Sequence, residues 1–455
     1  MTEMTDTQTF AKVLKTRDVV ALSFGAMIGW SWVLMTGVWI SEAGTLGTLI
    51  AFSVGGLAIT LIGLTYSELA AAMPKAGGEH VYTHRALGPN WSFVCTWALL
   101  FSYLNVCMFE SVALPTAIEY LFPEIRIGTL WSVLGSDVDV GFAIIGALGA
   151  TLVTWTNYVG IKTAAFVQTI VTALILLSGA LLISGVVAFG ELDNSQPLLG
   201  NNVSGIVVVF IMVPAMLIGF DVIPQSAEEI DLPPNRIGRL LVISVFCAVL
   251  WYIGVSAAVG FGLPGQLLTE STMATADAAK HLWGNPNAGY FLVFGGVCGI
   301  LTSWNAFVVG ASRVLYALAE SGFIPAAFGK LHPKYHTPYV GILTIGALSI
   351  IAPLFGRTIL VWLINTSSFA VTIAFLFVAI SFLALRKNEP EMPRPFQVSH
   401  PNLVGYGAII MSLALLAGFF PWSDSALVWP DEWLTILAWV ILGGLLLVQF
   451  RRKRQ

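Results

Sequence analysis

Pro214-Ala215-Met216-Leu217-Ile218-Gly219-Phe220-Asp221-Val222-Ile223-Pro224 sets two prolines, a glycine and an acid inside an otherwise apolar run. Each proline removes a backbone donor and disturbs the turn before it, so one continuous helix is not expected here. An ionisable side chain in hydrocarbon is expensive, which makes Asp221 a candidate functional residue. The same carboxylate can also cap a restarted half-helix by accepting N–H bonds. The two roles are compatible.

A second weak point lies near the start of the chain, at Ser23-Phe24-Gly25-Ala26-Met27-Ile28-Gly29-Trp30-Ser31-Trp32. Two glycines weaken a helix there, although small residues also let neighbouring helices pack closely. Interrupted segments at corresponding positions of two halves are the sequence mark of a transporter site. The pair says more than either break alone.

The surroundings of both segments are membrane-like. Of 455 residues, 57% are hydrophobic and 10% charged, against roughly 25% charged in a soluble domain. Mean hydropathy is +0.83. A bilayer core takes about 20 apolar residues of helix, and twelve such runs occur, near 19–40, 46–72, 91–121, 141–158, 163–189, 204–229, 240–262, 290–318, 339–355, 358–384, 403–420 and 432–450. Lipid offers no partner to an unpaired backbone group, so the spans are expected to be helical throughout. No intervening stretch is long enough for a separate soluble domain. With the N-terminus inside, every Lys and Arg of the 21 except Arg126, Lys280 and Arg357 falls on the cytoplasmic side, as the positive-inside rule requires. Both termini are therefore expected in the cytoplasm.

Other classes fall away. Net charge is −4, so no basic field attracts nucleic acid; Arg451-Arg452-Lys453-Arg454 reads as an anchor to the membrane lipid surface. Cys95, Cys107, Cys247 and Cys298 lie in apolar runs and suggest no disulfide framework. Met1 to Phe10 is polar and lacks the core of a cleavable signal peptide. All six histidines fall in connecting segments, and no Walker loop or metal-ligand cluster is visible. An embedded enzyme needs a nucleophile–base pair or metal at one depth, so the protein is expected to be no enzyme and to need no cofactor beyond a coupled Na+ or H+.

Four stretches in order resemble the amino acid–polyamine–organocation (APC) family of transporters. Gly25-Ala26-Met27-Ile28-Gly29 is similar to the start of its first-helix G-x-x-I-G-S-G motif. Pro74-Lys75-Ala76-Gly77-Gly78, with Tyr82 and Arg85-Ala86-Leu87-Gly88, resembles its second loop. Gly219-Phe220-Asp221, then Ala227-Glu228-Glu229-Ile230 and Pro233, resembles the sixth helix and its exit. Ser312 to Gly322, with Pro325, resembles the end of the eighth. The likeness runs over essentially the whole chain.

The resemblance implies an all-α membrane protein of twelve helices with the LeuT-type fold. One transporter domain, 1–455, would hold inverted repeats at 19–189 and 204–384 and two further helices in 385–455. It also implies secondary transport of a small amino acid or related amine across the plasma membrane, as symporter or antiporter, by alternating access. Carried over residue by residue, Met27, Ile28, Gly29, Trp30 and Ser31 would face a substrate carboxylate. Ala215, Met216, Leu217 and Ile218 would face its ammonium. The physics agrees, because N–H ends suit anions and carbonyl ends suit cations.

One departure bears on the substrate. Where the family has Ser-Gly after Ile-Gly, this chain has Trp30-Ser31, then Trp32. Ser31 keeps a hydroxyl donor, while Trp30 and Trp32 can shape a pocket for an alkyl-ammonium. An exchanger or permease for an amine such as ethanolamine or a polyamine is the alternative. Phe220 is expected to close over the substrate. Asp221 and Glu110, the two deep acids, are coupling or gating candidates. A sodium site would use carbonyls near Gly25 and Ile28 with the hydroxyls of Thr302 and Ser303, unless those hydroxyls bond back to their own helix. Glu68, near the end of span 2, reads as a gate or structural partner.

Overall fold

The computed structural model describes residues 10–133, 136–200, 203–423 and 425–454. Apart from Phe10, the polar N-terminal segment lies outside the described residues. The chain is nearly all helix, as the apolar runs require. The first span is split into α1 (Thr16–Met27), α2 (Ser31–Leu34) and the opening of α3 (Thr36–Ala72). Gly44 breaks α3 at φ 74°, which separates span 1 from span 2. A Cβ there would meet the backbone of Leu198 and Gly200 at 2.6–2.7 Å, so only glycine serves.

The short α4 (Glu79–Leu87) leads into α5 (Pro89–Leu121), and an antiparallel hairpin, β1 (Thr129–Val133) and β2 (Ser136–Asp139), follows. Next come α6 (Val140–Val159), α7 (Ile161–Phe189), α8 (Val203–Leu217), α9 (Val222–Gln225) and α10 (Pro234–Gly262). Two short helices, α11 (Gly265–Glu270) and α12 (Ala274–Trp283), precede α13 (Pro286–Glu320). The chain closes with α14 (Tyr339–Ile351), α15 (Ile359–Asn388), α16 (Pro401–Ala417) and α17 (Asp431–Arg454). Among the described residues nine helices are long and apolar enough to cross a membrane. Tyr339–Phe355 and Pro401–Ala417 are shorter, and the first expected span is divided. Helix occupies every expected run, but length alone does not make each a full crossing.

Enclosure varies as a bundle in lipid demands. α13 and α5 form the interior, while α6, α7 and α17 leave apolar side chains such as Leu148, Phe166, Val187 and Leu445 facing outward. Lipid tails match such side chains. Both ends of the described chain lie at one end of the bundle: Phe10 packs edge-on against Tyr316, and Phe450 stacks on Phe323 just beyond α13. The hairpin marks the opposite end, where the Trp131 indole donates to Leu354 O at 2.9 Å.

Three of the four motif stretches converge at the terminal end. Arg313 makes two hydrogen bonds to Glu229, at 2.9 and 2.8 Å, with both side chains buried. A Cβ on Gly77 would meet Ala317 at 2.4 Å, and one on Gly78 would meet Pro224 at 2.8 Å. Glu68 proves a structural partner. It pairs with Arg386 and Arg394 and accepts the Val398 N–H at 2.8 Å, which fixes the segment between α15 and α16.

Candidate functional site

Both expected breaks are present and lie side by side. α1 ends at Met27, and Ile28–Trp30 is unwound before α2 begins. α8 ends at Leu217, and Ile218–Asp221 is unwound before α9, so the break falls between Pro214 and Pro224. Gly219 sits at φ 125°, and a Cβ on it would lie 2.6 Å from that of Ala26. The two breaks touch at this glycine. A helix leaves its first N–H and last C=O groups without internal partners, so α2 presents donors and the end of α8 presents acceptors to the same space.

That space is a cavity of about 430 Å³. Of the expected substrate-facing residues, Met27, Gly29, Trp30, Ser31, Ala215, Met216 and Ile218 line it, and Ile28, Trp32, Leu217 and Phe220 do not. Trp32 instead packs edge-on against Trp251. Phe220 is buried between Tyr66 and Phe375, so it supports the break from behind rather than covering the cavity. Phe109 and Phe307 join Trp30 as aromatic walls. The cavity extends toward the hairpin end, where Phe419, Ala426 and Val428 close its rim.

Among the described residues that line the cavity, Glu110 is the only acid, and no basic side chain accompanies it. Ser303 hydrogen-bonds its carboxyl, while Oε2 is enclosed without a partner. Both side chains crowd Gly29: a Cβ there would lie 2.9 Å from Glu110 Oε1 and 3.4 Å from Ser303 Oγ. The second deep acid is used differently. Asp221 accepts the Gly219 N–H at 2.8 Å and the Tyr103 hydroxyl at 2.6 Å. It staples the unwound turn and does not line the cavity.

The expected sodium ligands are divided. Ser303 lines the cavity, whereas Thr302 donates back to Gly299 O at 2.8 Å in its own helix. Beside Gly25 stand Thr302 Cβ, Thr172 Oγ1 and Gln168 Nε2, the last 2.5 Å from where a Cβ would be. Gln168 donates to Ala21 O at 3.1 Å and accepts from Asn305 Nδ2 at 2.8 Å, and Asn157 continues the chain. The amide N–H donor thus bonds Ala21 O, one turn before Gly25, and stands beside Gly25 itself. Among the described residues no group of three His, Cys, Asp or Glu could hold a metal.

Sequence reasoning missed Tyr252 of α10. Its hydroxyl donates to Met27 O at 2.9 Å and lies 2.9 Å from Ser31 Oγ, bridging the first break. A tyrosine in a long apolar run carries no local signal for that role. Gln168 and Tyr103 were overlooked for the same reason.

Two broken helices facing one another across a cavity within a helical bundle define a membrane transporter of the LeuT type. The amino acid permease family model matches residues 18–423. The chain belongs to that family, within the APC transporters. It is 26% identical to the branched-chain amino acid permease BcaP of Bacillus subtilis, over 96% of this chain and 92% of the relative. It is 24% identical to a methylthioribose transporter of Bacillus subtilis, over 98% and 95%. It is 27% identical to cationic amino acid transporter 4 of Mus musculus, over 84% of this chain and 61% of that longer protein.

Proposed function

We propose that this transporter carries a small amino acid or closely related amine across the plasma membrane, with the terminal end in the cytoplasm. The observation that carries the reading is the cavity itself. Donors at Gly29, Trp30 and Ser31 suit a carboxylate, and carbonyls at Ala215, Met216 and Ile218 suit an ammonium. Val106, Phe109, Ile211, Met212 and Phe307 would surround an aliphatic side chain, in keeping with the name of the branched-chain permease. Alternating access would work by moving the broken spans, with repeats near 19–189 and 204–384, against the rest. Thr302 is committed to Gly299 O and the Gln168 amide donor stands beside Gly25, which makes this place less suited to sodium and supports H+ as coupling ion and Glu110 as its carrier.

Glu110 Oε2, lacking any partner, favours a second reading: it pairs with the ammonium of a substrate without a carboxylate, such as ethanolamine or a polyamine. Counterflow in proteoliposomes separates the two. Exchange of leucine or alanine supports the first, and exchange confined to carboxylate-free amines supports the second. No flux of either class under any gradient, despite measurable binding, would remove both.

A further inference from the structure

At the terminal end, behind the broken helices, lies an acid that the transport reading leaves unused. Glu79 opens α4 and Gln225 closes α9, and both side chains are fully buried. Gln225 Nε2 donates to Glu79 Oε2. The remaining oxygen of each group, Glu79 Oε1 and Gln225 Oε1, is enclosed without a hydrogen-bond partner. An ionised carboxylate is acceptor-only, and so is an amide oxygen, so these two atoms cannot satisfy one another. Leaving both buried and bare carries the full desolvation cost.

The titratable neighbours of Glu79 are Tyr66 from α3, Tyr82 from its own helix, Cys95 and Tyr103 from α5, and Asp221 from the span 6 break. His80 turns away to Ser92, Thr96 and Ser321. No basic side chain forms an ion pair with Glu79 among the described residues, so its charge has no counter-ion, and the neighbouring Tyr66 hydroxyl and a backbone N–H offset only part of it. Burial, and then the Asp221 carboxylate, hold its carboxyl well above the usual carboxylate range. One proton on Oε1 removes the buried charge and supplies the donor that the Gln225 oxygen lacks. Oε1–H becomes a donor to Gln225 Oε1, and acid and carboxamide then join at two points.

We propose that Glu79 is a proton-binding site of this transporter, and that one proton shared with Gln225 fastens α9 to α4 and closes the terminal end. Release breaks the Oε1–H bond and passes the proton to entering water. It leaves a carboxylate facing Asp221, and their repulsion drives α9 from α4. The gating half rests on the transporter reading; the protonation half needs no substrate, so their failures are distinguishable.

Infrared pH titration of the purified full-length protein tests the proton. At pH 7 the carbonyl band of protonated carboxyls should lose one component in Glu79→Gln and keep that component in Glu110→Gln. Loss of an ionised-carboxylate band in Glu79→Gln would overturn the proposal. Should that variant fail to fold, Gln225→Leu serves: the Glu79 band should move to the position of an unbonded acid, and an unmoved band overturns the shared proton. Cys95 reads the seal, being fully buried beside Glu79, in a Cys247→Ala background that removes the exposed thiol. Raising pH through the titration should speed its alkylation by a permeant maleimide severalfold over Glu79→Gln. Equal rates would overturn the seal.

Discussion

The Tyr103 hydroxyl donates to Asp221 Oδ2 at 2.6 Å and so ties α5 to the break in span 6. The other oxygen, Oδ1, receives the Gly219 N–H at 2.8 Å. One carboxylate thus fixes both the shape of the unwound turn and its place against a neighbouring helix. Tyr103→Phe removes one donor from a buried acid, which costs about 1–3 kcal/mol. Its thermal unfolding in detergent should shift below wild type, and Asp221→Ala should shift further because it also frees the Gly219 N–H. A Tyr103→Phe protein that melts with wild type would show that the staple holds nothing.

The glycines of the two breaks separate binding from folding. A Cβ on Gly29 would press on Glu110 Oε1 at 2.9 Å, a side-chain atom that can yield by moving into the cavity. A Cβ on Gly219 would lie 2.6 Å from Ala26 Cβ and 2.9 Å from the Ala26 carbonyl carbon, at a φ that L residues avoid. Gly29→Ala should therefore keep most of its thermal stability and lose ligand-induced stabilisation. Gly219→Ala should lose both. Equal melting temperatures for the two variants would contradict the assignment.

The breaks themselves were legible because proline and glycine disturb a helix through covalent structure alone, and both segments display them openly. Pro214, Pro224, Gly25 and Gly29 carried that signal, and the apolar runs carried the helices. The partners of the breaks were not legible. Tyr252 reaches Met27 O from α10, and Gln168 reaches Ala21 O from α7; such contacts depend on how helices distant in sequence are rotated against one another. Phe220 shows the same limit. An aromatic residue beside a break can point into the cavity or away from it, and here Tyr66 and Phe375 receive it on the far side. The strands at 129–133 and 136–139 lay in a connection whose apolar residues, Leu130, Trp131, Val133 and Val138, are too few to announce a sheet.

Arg313 and Glu229 join the exit of span 6 to the end of α13 through two hydrogen bonds in a site that excludes water. Removing one partner strands the other charge, which costs about 3–5 kcal/mol. Arg313→Ala should express poorly or melt well below wild type. Arg313→Lys keeps the charge but cannot make the two-point contact, so it should fall between them. Arg313→Ala together with Glu229→Ala should recover part of the loss, since no bare charge remains. A double variant no better than Arg313→Ala would show that the pair is not coupled.

His80 ties this end of the fold to acidity. Its ring lies between Ser92 and Thr96 on one side and Ser321 on the other. Burial, and secondarily His84, lower its pKa from 6.5 to about 4. Between those values the unfolded chain takes up a proton that the folded one refuses. Stability from this group is therefore complete above pH 6.5, falls as pH drops through the window, and is exhausted near 4. The depression corresponds to about 3 kcal/mol. Glu79, with its carboxyl held high, works in the opposite sense and weakens the fold as pH rises, so the raw melting curve mixes the two. The difference between wild type and His80→Gln isolates the histidine, because glutamine keeps hydrogen-bonding capacity without titrating. Wild type should lose thermal stability faster than His80→Gln as pH falls from 6.5 toward 4, and parallel curves would mean that His80 is charged in the folded state.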